Sequence, residues 1–220
     1  MFVTVQEFQQ QQYADLVDQF LRLRKKTFAD QLGWDVQVSD EREADAYDRM
    51  NPVYLLWCSD DRKTLYGGMR LMPTTGPTLL YDVFRSTFPG SIDLVAPGIW
   101  EGTRMCLDDE AVQRDHDDMS PGYAFSLLLL ALCECALDHG IHTMISNYEP
   151  HMKRVYRRSG VEVDELGRAD GYGRHPVCCG AFEVSDEVME RMRAKLGVNH
   201  SLFTNASAPQ PGRALMASAA

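Results

Sequence analysis

The chain has 220 residues, with 45% hydrophobic and 25% charged content, enough for one domain with a buried core. Its formal net charge of −10 argues against bulk nucleic-acid binding, which needs a basic face.

The opening "MFVTVQEFQQ" has no basic segment followed by an apolar run, so no signal peptide is expected and the expected location is the cytoplasm. Within it, "FVTVQ" alternates and predicts a strand. From Tyr13, the residues Leu16, Val17, Phe20 and Leu23 keep a helical period. That helix is expected to end with Arg22, Arg24, Lys25 and Lys26, where cations suit the negative end of the dipole. Residues 35–51 are polar and acidic and read as a long ordered loop. "VYLLWC" (Val53–Cys58) predicts a buried strand, "DDRK" a turn, and Leu65–Pro73 its partner. A turn-rich connection leads to a strand over Gly98–Asp108. "RDHDDMSP" reads as an acidic loop, with Ser120 and Pro121 starting a helix. The apolar run Tyr123–Gly140 is too short and interrupted for a membrane span, so a buried helix ending at Gly140 is expected, without membrane insertion. "IHTMIS" predicts a strand, Pro150–Ser159 a helix, and "VCCGAFEVS" a last strand. Residues 1–200 are expected to form the domain, and 201–220, rich in Ala, Ser and Pro, a flexible tail. The order predicts an α/β fold: one mixed sheet with helices on both faces. Six cysteines (Cys58, Cys106, Cys133, Cys135, Cys178, Cys179) form no C-x-x-C pair and read as reduced core residues.

Several charges fall on or beside apolar strands. Arg70 follows "YGG" inside a strand pattern, where an inward arginine needs a partner. Glu101 and Arg104 are three apart, so they face opposite sides of a regular strand and share a site only across a bulge or bend. Phe28 and Trp34 read most simply as core aromatics, and Asp45 and Asp48 as loop solvation or turn caps. Together, so many charges beside apolar strands imply a paired constellation.

The pieces "RLRKKTF", "LGWDV", "EADAYD", "YGGMRLMPTTGPTLLYDVF" and "WEGTRMCLDD" carry a resemblance to the LuxI-type acyl-homoserine lactone synthases, over roughly residues 15–160. Arg24 and Phe28 match an Arg and Phe four apart. Trp34 follows Leu-Gly, Asp45 and Asp48 are two acids three apart, Arg70 opens R-L-x-P-T-T, and Glu101, Thr103 and Arg104 match Glu-x-Ser/Thr-Arg. The resemblance implies a single-domain fold like that of the GNAT acyltransferases. It implies attack of the S-adenosylmethionine amine on an acyl thioester, then lactone closure with loss of methylthioadenosine. Under it, Phe28 and Trp34 form an aromatic wall over S-adenosylmethionine, whose sulfonium suits a ring face. Asp45 holds the ammonium, Arg104 pairs with the carboxylate, and either Glu101, directly or through water, or a neighbouring backbone carbonyl takes a proton. Asp48 with Arg70, and Arg24 with Glu101, are the expected scaffold pairs, although spacing alone leaves the pairing open. S-adenosylmethionine is a substrate, and no cofactor is implied.

On the donor side, Lys153, Arg154, Arg157 and Arg158 share one side of the expected helix. They read either as a solvated face or as a dock for acyl-carrier protein or acyl-CoA, both polyanionic. The resemblance puts an acyl pocket between "IWEGTRM" and "IHTMIS", with Trp100, Met105, Thr143, Met144 and Ser146 as candidate lining residues. The alternative function is a GNAT-type N-acyltransferase taking another amine and acyl-CoA. Against it, "RDHDDMSPGYAFS" stands where a glycine-rich pyrophosphate loop belongs and has only one glycine. No Gly-rich loop follows an early strand, as a methyltransferase would need. A binding module would leave the buried charges unexplained. His116, His139, His142 and His151 have no metal-ligand spacing, so no metal site is expected.

Overall fold

The computed structural model describes residues 1–203. In chain order run β1 (Phe2–Val5), α1 (Ala14–Arg24), β2 (Val38–Ser39), β3 (Arg42–Glu43), β4 (Val53–Cys58), β5 (Leu65–Pro73), α2 (Leu79–Asp82), β6 (Ile99–Leu107), α3 (Asp109–Asp115), α4 (Pro121–Asp138), β7 (Thr143–Tyr148), α5 (Met152–Arg158), β8 (Asp164–Ala169), β9 (Val177–Glu183) and α6 (Asp186–Leu196). Seven strands form one sheet in the order β1-β4-β5-β6-β7-β9-β8, and β2-β3 is a separate hairpin. The mixed sheet expected from the sequence is present. So is the Ser120 cap of α4, which accepts the Tyr123 N–H, and its stop at Gly140 (φ 70°).

Each face of the sheet has its own core. On one, α1 sets Leu16, Phe20 and Leu23 against Tyr54, Leu56 and Cys58. A Cβ on Gly68 would lie 2.7 Å from the Leu56 side chain and 3.2 Å from Phe20, so α1 sits this low only over glycine. On the other face α4 buries twelve of its eighteen residues. That burial fits a core helix and not a lipid-facing one.

The sheet's one parallel pair is its special feature. β6 and β7 pair only where Ile99–Glu101 meet Thr143–Ile145. Beyond this, β6 continues with β5 and β7 continues with β9, so the sheet opens as a wedge. Ser146 Oγ donates across its vertex to the Gly102 carbonyl at 3.0 Å.

Several elements differ from the sequence expectation. The acidic segment contains α3, with Asp108 as its cap. β8 and α6 are additional, and α6 packs on α4. Ser185 caps α6, acids fill its first turn, Val188 and Met192 are buried, and Gly197 ends it. All of these are helix signals that the sequence reading passes over. Residues 201–203 are docked, not the start of a free tail: Glu134 of α4 accepts the Ser201 hydroxyl at 3.0 Å and the Leu202 and Phe203 N–H groups at 2.8 Å each. Phe203 then bridges to Phe2 at the edge strand. The remainder of the expected tail, 204–220, lies outside the described residues.

Glu134 is nearly enclosed and also accepts from Arg193 at 2.8 Å. Glu134→Ala strands those donors and should lower unfolding free energy by about 2–4 kcal/mol in urea melts. An unchanged midpoint would mean that this clasp adds nothing to stability.

Candidate active site

α1 does not stop at its basic end. It widens into a π-helical turn over Lys25–Gln31, in which the Leu32 N–H reaches the Thr27 carbonyl at 3.0 Å. Such turns re-aim side chains and cluster at functional sites. Gly33 takes a left-handed φ of 65°, and the Trp34 N–H returns to the Phe28 carbonyl at 2.8 Å. The return sets Trp34 against Phe28, with ring centroids 5.1 Å apart and planes tilted by 39°. Phe28 is buried, and Trp34 is half-exposed beside it.

Arg24, expected among the cations at the helix end, is instead fully buried. It donates to Glu43 at 2.6 Å and to both oxygens of Asp48 at 2.7 and 3.0 Å. This corrects the expected Arg24–Glu101 pair. Arg70, also fully buried, donates to both oxygens of Asp45 at 2.5 and 3.0 Å, approaches Asp48 at 3.0 Å, and bonds Thr103 Oγ1 at 3.1 Å. Asp45 and Asp48 are three apart because they form a reciprocal cap: Asp45 accepts the Tyr47 N–H and Asp48 accepts the Asp45 N–H. Burial pushes the Asp48 carboxyl up, but Arg24 and Arg70 outweigh it and hold it well below the carboxylate range. Glu43, the first residue of "EADAYD", is the network member that sequence reasoning misses. It has zero exposure and joins Arg24 to Arg104.

The bulge that Glu101 and Arg104 require is present. The β5–β6 register slips between Gly68 and Arg70, so one β5 residue faces two on β6. Arg104 takes φ 56° there. The bulge turns Arg104 to the face of Thr103 and Arg70, where its guanidinium lies 5.4 Å from the Phe28 ring centre. Its three contacts, to both Glu43 oxygens and to Asp45, are all 3.2 Å. It is the most loosely held of the three arginines, and the only one lining the cavity described below.

Glu101 is 1% exposed. By strand alternation it faces the same side as Thr103. Oε2 accepts the Leu79 N–H at 3.0 Å, and Oε1 has no partner. Burial raises its carboxyl to about 7, against the opposing pull of the Leu80 and Leu79 N–H groups and of Arg70 and Arg104.

A cavity of about 270 Å³ passes through the wedge. On the α1 face its walls include Phe28, Trp34, Arg104, Phe84 and Tyr172. On the α4 face they include Met105, Met144, Leu132, Val188 and Met192. Of the expected acyl-pocket residues, Met105, Met144 and Ser146 line it; Trp100 and Thr143 do not. Thr143 precedes Met144 by one and so faces the opposite side. Trp100 lies in the paired part of β6 and is tied to the Pro97 carbonyl at 3.1 Å. Phe84, Tyr172, Asn147 and the α6 residues are lining residues that sequence reasoning misses. Tyr172 arrives from the β8–β9 turn, and no local pattern announces that contact.

Lys153, Arg154 and Arg157 line a separate surface groove with His151, Glu162 and Asp164, while Arg158 lies outside it. Lys153 is paired with Glu165. His151 and Val161 line both the groove and the cavity, so the two adjoin. Among the described residues, no group of three or more His, Cys, Asp or Glu side chains could hold a metal ion, and all six cysteines are free and buried.

A mixed sheet split beside its parallel pair defines a GNAT-like acyltransferase fold. It is shared with a protein from Lactobacillus plantarum assigned as an N-acetyltransferase, with a TM-score of 0.52, 18% identity, and coverage of 84% of this chain and 99% of that one. That likeness concerns the fold alone. A CoA-dependent acyl-homoserine lactone synthase, BjaI, solved with SAM and isopentyl-CoA, is more similar, with a TM-score of 0.79, 25% identity, and coverage of 91% and 90%. The acyl-homoserine-lactone synthase of Rhizobium etli is 38% identical over 202 residues, 90% of each chain. Residues 7–192 match the autoinducer synthase family, to which this chain therefore belongs.

Because Glu101 is raised from 4.5 to about 7 in the fold, its stabilising share is complete below 4.5 and is lost as pH rises through 7. Glu101→Gln should therefore gain on wild type in thermal stability between pH 5 and pH 8. A constant difference across that range would place the Glu101 titration elsewhere.

Proposed function

We propose that the chain makes an N-acyl-L-homoserine lactone from S-adenosylmethionine and an acyl thioester, releasing methylthioadenosine. The observation that carries this reading is the wedge. It joins an aromatic, arginine-bearing lobe on one face to an apolar lobe on the other, so an amine and an acyl chain can meet at its vertex.

In this reading Phe28 and Trp34 face the sulfonium, an attraction of about 0.5–2 kcal/mol. Arg104 pairs with the substrate carboxylate. The sequence expectation gives Asp45 the ammonium, yet Asp45 already accepts from Tyr47, Arg70 and Arg104. An exchange resolves this: Arg104 leaves Asp45 for the carboxylate, and its vacated oxygen takes the ammonium. The long Arg104 contacts make it the arginine suited to move.

The α-ammonium titrates near 7.7–8.0, so a useful fraction is neutral at pH 7. Glu101 does not line the cavity, so it takes the proton through water. The amine nitrogen bonds to the thioester carbon, the carbon–sulfur bond breaks, and the thiolate is protonated. The carboxylate oxygen then attacks its own γ-carbon and expels neutral methylthioadenosine. One proton is released overall. The second step needs no acid, only the carboxylate held near that carbon.

The acyl chain occupies the methionine-rich lobe, whose flexible side chains adapt to chain shape. The groove of Lys153, Arg154 and Arg157 receives the phosphates of the donor. Acyl-CoA and acyl-carrier protein both present a phosphopantetheine arm there.

Purified protein should form methylthioadenosine only when S-adenosylmethionine and an acyl thioester are both supplied, read by chromatography, with each donor type tried separately. Thioester turnover with a simple amine alone would instead support an N-acyltransferase of another amine.

A further inference from the structure

Asn147 has a side chain whose orientation is fixed and whose acceptor is unused. It lies on β7, one residue past Ser146, and so faces the α1 side of the sheet, the side of Phe28 and Arg104. Its Nδ2 donates to Thr87 Oγ1 at 3.0 Å and approaches the Cys178 carbonyl at 3.5 Å. The Thr87 hydroxyl donates its proton to the Phe84 carbonyl at 2.6 Å. Thr87 Oγ1 can therefore only accept from Asn147. A flipped amide would set Oδ1 against two acceptors, Thr87 Oγ1 and the Cys178 carbonyl. Oδ1 is buried, unpartnered, and belongs to a residue that lines the cavity. Left so, it bears the cost of a desolvated acceptor, which a bound donor removes.

The lobe around it selects the donor. Phe84 and Tyr172 line it, with rings 4.9 Å apart, and Phe28 and Trp34 stand across the wedge. These are surfaces for a flat heterocycle. The charged end of S-adenosylmethionine is drawn to Arg104, which leaves its adenosyl end for the aromatic remainder of the same lobe. The acyl donor enters from the groove, which meets the cavity at His151 and Val161. We propose that Asn147 reads the adenine of S-adenosylmethionine, its Oδ1 accepting a hydrogen bond from the 6-amino group. Thr87 is the positioning residue that holds the amide in this sense. The inference rests on the function proposed above.

The test uses the full chain and steady-state kinetics with both substrates. Asn147→Leu should raise KM for S-adenosylmethionine about five- to tenfold and leave KM for the acyl thioester unchanged, with an unaltered melting temperature. Thr87→Val should give a smaller rise in the same KM. An S-adenosylmethionine analogue with purine in place of adenine should lose affinity with wild type but not with Asn147→Leu. A rise confined to the acyl thioester, equal losses of the analogue with both proteins, or no change in either KM would overturn the inference. Absence of methylthioadenosine from the wild type would instead overturn the function on which it rests. Should Asn147→Leu fold poorly, the analogue on wild type and Thr87→Val still decides.

Discussion

Three arginines and three carboxylates share one nearly dry volume, and much of the structure serves their mutual neutralisation. Arg24 comes from the end of α1, Glu43 from the β2–β3 hairpin, Asp45 and Asp48 from the turn after it, Arg70 from β5 and Arg104 from the β6 bulge. Desolvating each ion costs several kcal/mol, so no member is tolerable alone and removing one leaves its partners stranded. The network therefore ties the whole 35–51 segment to the sheet. Its inner pairs are short and enclosed. Its outer member, Arg104, is longer-bonded, with contacts of 3.2 Å, and borders the cavity.

The second constraint is the single parallel pair in the sheet. A parallel crossover carries α3 and α4 between β6 and β7, and the strands on either side are drawn to different neighbours. The pair therefore parts after three residues of register. The gap is chemically useful because alternation sends successive β7 side chains to opposite lobes. Ser146 marks the vertex, Met144 faces the α4 side, and Asn147 faces the α1 side.

Much of this was legible in the sequence. The period of α1, the buried strands and the Ser120 cap are local signals, and the structure has each of them. The need for a bulge between Glu101 and Arg104 followed from strand parity alone. Pairing was not legible, because it depends on where the acidic turn folds back. Arg24 meets Glu43 and Asp48, and Glu101 stands apart with one oxygen free. The expected pocket between β6 and β7 coincides with a cavity, but Trp100 and Thr143 do not line it, and strand parity alone excludes Thr143. Tyr172 was beyond reach, since it lies in the β8–β9 turn and meets Phe84, far away in sequence, only through the tertiary fold.

In the proposed function the ion network presents Arg104 to the S-adenosylmethionine carboxylate. Titration calorimetry of S-adenosylmethionine into wild type and Arg104→Lys addresses it directly. A lysine keeps the charge but loses the planar fork that engages a carboxylate at two points. The expected result is binding weakened about tenfold or more, with a fold unchanged by circular dichroism. Equal affinity for both proteins would contradict the claim and leave Arg104 a structural cation only.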